Sequence, residues 1–282
     1  MNYSRRDLLK WGAGAAALWT AGIRPASLNA DDPKNKIPIA LQLYSVRDLM
    51  GKDLPGTVEA VAAMGYQGVE FAGYYEHTAK DLRKILDHNG LKCCGTHLLL
   101  DALRGDALKG TVEFNQTLGN KFLVVSWLPP TVTTSIAALI DTAKLFTKLA
   151  EKVKDSGMRV GYHAHEHDFK PVADRIPWEV FFTNAGPDVT MQLDTGNCMD
   201  GGGDPVAELK KFPHRSATIH LKEHGGPKGA VIGEGDVPWK KVFELCETTG
   251  DTEWFILEQE TYRDSPLETV RLCLQNVHKM GK

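Results

Sequence analysis

The chain has 282 residues, 42% of them hydrophobic and 24% charged, and a formal net charge of −3. That is ordinary globular composition, and the length suits one large domain or two small ones. The slightly acidic balance disfavours a nucleic-acid partner, which needs a basic surface.

The first thirty residues are set apart. Ser4-Arg5-Arg6-Asp7-Leu8-Leu9-Lys10 is a twin-arginine pattern, followed by an apolar Gly/Ala-rich stretch from Trp11 to Ile23 and a small, polar exit ending near Ala30. This order describes a targeting peptide, and the apolar run is shorter than the ~20 residues of a bilayer helix. Cleavage is expected between Ala26 and Ala30, since Leu28 is large for a −3 position. The expected division is therefore a signal peptide over 1–30 and one domain over 31–282. The twin-arginine translocase is the expected partner during export, the destination is periplasmic, and no membrane association is expected of the mature form. A homo-oligomer is possible. Cleavage removes Arg5, Arg6, Lys10 and Arg24 with one acid, Asp7, which takes the net charge from −3 to −6. The export route carries folded proteins, which suits an enzyme that acquires a metal in the cytoplasm.

From Ile37 onward a short β-branched run, an amphipathic helical stretch and a turn glycine repeat in order. Strands are expected at Ile39–Tyr44, Gly68–Phe71, Lys92–His97, Phe122–Ser126, Arg159–His165, Val189–Asp194, Ala217–Leu221 and Trp254–Glu258. Helical periodicity marks Leu54–Met64, Ala79–His88, Ile136–Lys154, Val206–Phe212, Trp239–Glu247 and Leu267–Met280. Gly65, Gly90, Gly119, Gly157 and Gly250 stand where helices stop before the next strand. Eight strand–helix units in roughly 250 residues predict an α/β fold, a closed (β/α)8 barrel in a single domain. An open doubly wound sheet would call for a Gly-rich turn after the first strand, where Leu43-Tyr44-Ser45-Val46-Arg47 stands instead. The five cysteines, Cys93, Cys94, Cys198, Cys246 and Cys273, fit no zinc spacing and read as packing thiols, with one stray disulfide possible. Cys93 and Cys94 are neighbours on a strand and should face opposite sides.

In such a barrel, chemistry gathers at the C-terminal strand ends. Those ends carry Gln42, Tyr44 and Arg47; Glu70; His97; Trp127; His163-Ala164-His165-Glu166-His167-Asp168; Asp194-Thr195-Gly196-Asn197; His220-Leu221-Lys222-Glu223; and Glu258-Gln259-Glu260. His163 and His165 are two apart on a strand and should share a face. With Asp194, His220 and Glu258 they supply nitrogen and carboxylate donors suited to one divalent ion: Mn, Co, Zn, Fe or Ni. Without a cation, such a convergence of buried ionisable groups is costly. His163, His165 or Glu258 could take a proton beside a carbonyl, and Lys222 or His97 could serve a developing oxyanion or a leaving oxygen. Arg47 and Glu70 are candidates for binding hydroxyls. Trp127, before Pro129-Pro130, is a candidate sugar-stacking platform, or else it caps the core. Gly225–Gly235 has the glycine content of a lid, or is a plain connection to a helix starting at Pro238.

Leu41-Gln42-Leu43-Tyr44-Ser45-Val46-Arg47, Gly68-Val69-Glu70, Gly161-Tyr162-His163-Ala164-His165, Leu193-Asp194-Thr195-Gly196-Asn197, His220-Leu221-Lys222-Glu223, Gly233-Glu234-Gly235-Asp236 and Leu257-Glu258-Gln259, taken in order, resemble the sugar phosphate isomerase/epimerase family. That family lies within the xylose isomerase-like TIM barrel superfamily. The resemblance implies one divalent metal held from strands five to eight, here at His163, Asp194, His220 and Glu258. Ketose epimerases of the superfamily have a carboxylate at the place of His163, and use it with the strand-eight glutamate as a pair of bases. The His-x-His of strand five looks more like the branch of dehydratases and keto-glycoside lyases. The expected activity is therefore isomerisation or epimerisation of a small carbohydrate. The alternatives are elimination across a 3-keto-glycoside or inosose, and a non-catalytic sugar-binding barrel.

Overall fold

A computed structural model describes residues 36–282; the expected leader lies outside the described residues. Eight strands run β1 Ile39–Gln42, β2 Gly68–Phe71, β3 Lys92–Leu99, β4 Phe122–Trp127, β5 Arg159–His163, β6 Thr190–Gln192, β7 Thr218–Leu221 and β8 Trp254–Leu257. The connecting helices are α1 Arg47–Met50, α2 Leu54–Ala63, α3 Ala79–His88, α4 Ala107–Leu118, α5 Pro130–Thr133, α6 Ile136–Lys154, α7 Pro177–Asn184, α8 Thr195–Asp200, α9 Pro205–Lys211, α10 Trp239–Thr248 and α11 Pro266–Lys279. Every pairing is parallel, in the order β6-β5-β4-β3-β2-β1-β8-β7. The seam between β6 and β7 is closed by a single parallel bridge, Asp194 with His220. His220 N donates to Leu193 O at 2.8 Å and Met191 N to Arg215 O at 2.7 Å beside it. The expected (β/α)8 barrel is what forms, and among the described residues no helix is long and apolar enough to cross a membrane.

The strands are buried on both faces because helices cover the outside and side chains fill the inside. The main apolar cluster lies between sheet and helices, with Val69, Phe71, Leu82 and Leu86 as members. Two small clusters, Ala40–Cys94–Ile256 and Phe122–Val124–Ala217, stand apart from it and fill the lower barrel. Cys93 joins the outer cluster and Cys94 the inner one, as neighbours on a strand must. All five cysteines are buried free thiols. The period-2 alternation that turns Ala40, Val124 and Ile256 inward carries Gln42, Ser126 and Glu258 inward one layer higher. The barrel interior therefore changes from apolar to polar along each strand, toward the end where chemistry is expected.

Local chemistry sets the ends of the elements. Side chains of Asp53, Thr78, Ser135, Asp194 and Ser265 accept from backbone N–H groups at the starts of α2, α3, α6, α8 and α11. Gly65, Gly90, Gly119 and Gly157 take positive φ after their helices. Gly250 does not: the left-handed residue there is Asp251, φ 52°.

A buried carboxyl away from the barrel mouth bears on stability. Glu208 on α9 is pushed up to about 7 by burial, with the charge of Glu179 adding, and its Oε2 has no hydrogen-bond partner. An unfolded glutamate ionises near its ordinary 4.5, so between about pH 4.5 and 7 the unfolded chain sheds a proton that the folded one keeps. Stability falls as pH rises through that window. Glu208→Gln is expected to raise the melting temperature by roughly 2–4 °C (about 1 kcal/mol) near pH 8 and to leave it unchanged near pH 4. Thermal scans at the two pH values check this.

Candidate active site

The tops of β5 to β8 bring four side chains together. One ligand atom from each of His163, Asp194, His220 and Glu258 lies within 4.8 Å of the others, and all four residues are buried. His163 ends β5 and Glu258 follows β8, while Asp194 and His220 are the two halves of the closing bridge. Barrel closure thus sets half of the cluster. His97, His163 and His220 form a second, all-nitrogen group, and His165 belongs to neither.

Glu70 underlies the cluster. Its carboxylate is fully buried and accepts from Gln42 Nε2 at 2.7 Å, Gln192 Nε2 at 2.8 Å and His220 Nε2 at 2.6 Å; His97 Nε2 lies at 3.1 Å. Burial alone would raise this carboxyl, but the charges of His97 and His220, with their hydrogen bonds, hold it well below the usual carboxylate range. The expected hydroxyl-binding role for Glu70 is corrected by this placement: its acceptors are already taken, and it does not line the cavity. The register shift between Val69 and Glu70 makes this close approach feasible, and Gly95 is required opposite. A Cβ at Gly95 would stand 2.2 Å from Glu70 Oε1.

With Nε2–H given to Glu70, the Nδ1 of His220 faces Glu258 Oε2 at 2.9 Å and Asp194 Oδ2 at 3.8 Å. Burial would lower His220, but Glu70 and Glu258 together push it up to about 10. Asp194 is pushed up to about 7 by burial, which its neighbours Lys222 and His220 offset only in part. Its Oδ1 accepts from Asn197 N at 2.7 Å, whereas the buried Oδ2 has no partner. His163 Nδ1 is buried without a partner too, and burial keeps that ring neutral, well below the ordinary histidine value. Unsatisfied buried polar atoms cost about 1–3 kcal/mol each. Two such atoms in a set of two imidazoles and two carboxylates fit a divalent cation, as expected from the residue types.

Above the cluster lies a cavity of about 920 Å³, lined among others by His97, His163, His165, Asn197, Lys222 and Glu258. Burial brings His165 down to about 4, so its ring is neutral at pH 7, and its Nδ1 has no partner. Asp168 sets the direction of this residue: its carboxylate accepts from His165 N and from the Tyr162 hydroxyl, both at 2.8 Å. Lys222 Nζ donates to Asn197 Oδ1 at 3.0 Å and pairs with Glu260. Burial opposes its charge, yet Asp194, Glu258 and Glu260 hold it above the ordinary lysine value, so it stays a cation. Trp127 lines the cavity, 44% exposed, rather than capping the core. Arg47, expected to bind hydroxyls, stands behind Tyr44 and not among the residues that line the cavity. Its guanidinium donates to Tyr44 O and to Tyr262 Oη, both at 3.0 Å, and lies 4.4 Å over the Tyr44 ring, so it braces Tyr44 against the cavity. Gly225–Gly235 is tied at its base: Glu223 accepts from His224 N, Val237 N and Trp239 Nε1 at 3.0–3.3 Å, and α10 starts just after Pro238. Gln192, which holds both Glu70 and His97, was not legible as a site residue, because an amide inside a strand has no motif.

The chain is 23% identical over 241 residues to an inosose dehydratase of Clostridium botulinum, covering 72% of this chain and 80% of that one. A sugar phosphate isomerase/epimerase of Parabacteroides distasonis superposes with a TM-score of 0.77 at 22% identity, over 90% of this chain and 98% of the other. The IOLI protein with a bound zinc atom superposes with a TM-score of 0.68 at 14% identity, over 86% and 97%. The family model for the xylose isomerase-like TIM barrel matches residues 58–275, well over half of the sequence, and the chain belongs to that family.

Proposed function

We propose that the protein is a divalent-metal-dependent enzyme that removes a proton beside a carbonyl of a small carbohydrate and expels the oxygen on the next carbon, as water from an inosose or as the aglycone alcohol from a 3-keto-glycoside. The carrying observation is the buried tetrad of His163, Asp194, His220 and Glu258 beneath the cavity, with Asp194 Oδ2 and His163 Nδ1 unpartnered. Those four residues would hold the cation, one of Mn, Co, Zn, Fe or Ni. When bound it supplies about several kcal/mol of stabilisation to negative charge growing on a carbonyl oxygen. The zinc of the IOLI neighbour supports a cation at this mouth.

The chain's own groups do the rest. The neutral ring of His165 and the carboxylate of Glu258 both line the cavity; these are the proton acceptors. Lys222, held in its charged form by Asp194, Glu258 and Glu260, would serve an oxyanion or leaving oxygen as the cation it needs. An epimerase needs matched bases on both faces of one carbon, and the imidazole at His163 breaks that match. An elimination needs one base for the C–H and one donor for the departing oxygen, and the inosose dehydratase relatives support this reading. Delivery by the twin-arginine translocase to the periplasm belongs to the same proposal and explains why a free sugar, not a phosphate, is the expected substrate.

The test is incubation of the metal-loaded protein in D2O with an inosose, a 3-keto-glucoside and a free ketose. Formation of an unsaturated ketone is expected, from the inosose with release of water or from the 3-keto-glucoside with release of its aglycone alcohol. Deuterium entering the ketose with no unsaturated product would instead assign epimerisation.

A further inference from the structure

The cavity has two unlike sides, and the chemistry above uses one. The side built by β5 to β8 presents His163, His165, Asn197, Lys222, Glu258 and Glu260. The side built by β1 to β4 presents Tyr44, Ala72, Tyr74, Leu98, Leu99 and Trp127, with His97 and Ser126 as its polar members. Three large hydrophobic residues stand out as exposed among the described residues: Tyr44 at 42%, Leu99 at 65% and Trp127 at 44%. All three line this cavity.

Single exposed hydrophobics scattered over a surface are ordinary. Gathering them in one concave site beside convergent polar groups is the mark of ligand recognition. Each stands at or just past the end of its strand. Leu99 ends β3, Trp127 ends β4, and Tyr44 lies in the turn after β1 with its ring backed by Arg47. Their positions are thus set by the barrel and by a guanidinium that is itself hydrogen-bonded to Tyr262. The volume, about 920 Å³, lies near the top of the roughly 300–1,000 Å³ range of pockets for drug-sized ligands, with room beyond one sugar ring.

We infer that the apolar side is a second subsite, and that the substrate is a glycoside whose substituent offers a flat apolar face to Trp127, Leu99 and Tyr44. An aryl group and the C–H face of a second sugar ring both offer that face. The inference rests on the carbohydrate reading of the polar side and extends it from a lone ring to a two-part ligand. The polar part sits over the tetrad; the flat part is desolvated against β1, β3 and β4.

Calorimetric titration of the metal-loaded protein with methyl β-glucoside, p-nitrophenyl β-glucoside and cellobiose tests it. The aryl glucoside, the disaccharide or both should bind about 10-fold tighter than the methyl glucoside, and which does so identifies the substituent. Trp127→Ala and, separately, Leu99→Ala should each bring that ligand down toward the affinity of the methyl glucoside. Equal affinities for all three ligands, or an advantage that survives both substitutions, overturns the subsite. So does a concentration-dependent dimer that Trp127→Ala dissolves, which would give the rim to a second copy of the chain. If the advantage is missing while product still forms from an inosose or keto-sugar, the subsite alone is wrong. If no ligand binds and no keto-sugar reacts, the carbohydrate reading falls with it.

Discussion

Asp194→Asn is expected to strip the protein of stoichiometric divalent metal and to lower turnover by about 10³-fold, with the fold retained. The two carboxylate oxygens of Asp194 do different work, and the substitution separates them. Oδ1 accepts from Asn197 N at 2.7 Å and starts α8, a task an asparagine oxygen performs about equally well. The bridge to His220 is made by backbone and does not depend on the side chain. What is lost is the charge at Oδ2, the buried oxygen without a protein partner, 3.8 Å from His220 Nδ1. An amide nitrogen placed there offers a donor where a cation needs an acceptor. Losing a direct ligand should cost more than the roughly 10–100-fold in affinity typical of outer partners, and several kcal/mol of lost charge stabilisation amounts to about 10³ in rate. Metal analysis after dialysis, set beside circular dichroism and melting of the same sample, checks both halves. Full metal content in the variant would remove Asp194 from the site.

The barrel was legible because its signal is repeated eight times, and the tetrad because its members stand at strand ends. Two of the misplaced boundaries, the ends of β1 and β5, share a cause, which is side chains that capture backbone groups. Strand β5 was expected to run through His165, but Asp168 takes the His165 N–H and folds the chain into a short 3-10 turn, so the strand stops at His163. Likewise β1 was expected to reach Tyr44, and the Gln42 side chain accepts from Tyr44 N and ends it two residues earlier. Both captures are local, within two and three residues of the backbone group they take. The role of Glu70 is not local: its partners Gln42, Gln192 and His220 are 28, 122 and 150 residues away in sequence, so only closure of the barrel reveals them. A polar residue at a strand end is legible as part of the site; whether it faces the ligand or holds up those that do is decided by the partners that barrel closure brings to it. Glu70 and Glu258 are presented by the sequence in the same way, yet Glu258 lines the cavity and Glu70 does not.

Glu70→Gln is accordingly expected to be the most destabilising conservative change at the site, at about 3–5 kcal/mol, or a fall of roughly 10 °C or more in melting temperature. The volume is unchanged, so packing is not the reason. Glu70 is a pure acceptor surrounded by donors: Gln42 Nε2, Gln192 Nε2 and His220 Nε2 all point at it, with His97 Nε2 at 3.1 Å. Whichever way a glutamine is turned, its NH2 confronts at least one of these donors in a fully buried place where water cannot intervene. The His220 ring also loses the carboxylate that fixes its Nε2–H, so Nδ1 is no longer held toward Asp194 and Glu258, and metal affinity should fall by about 10–100-fold. Exchanging the partners separates donor mismatch from any general fragility of the barrel. In the double variant Glu70→Gln with Gln42→Glu, residue 42 can still accept from Tyr44 N, as Gln42 Oε1 does at 3.0 Å, and now accepts from residue 70 as well. Partial recovery of the melting temperature is expected, with less recovery of metal affinity, because the charge has moved away from His220. A single variant that melts within about 2 °C of the parent would mean that water or a rearranged amide satisfies the buried donors, and that Glu70 does not organise the site.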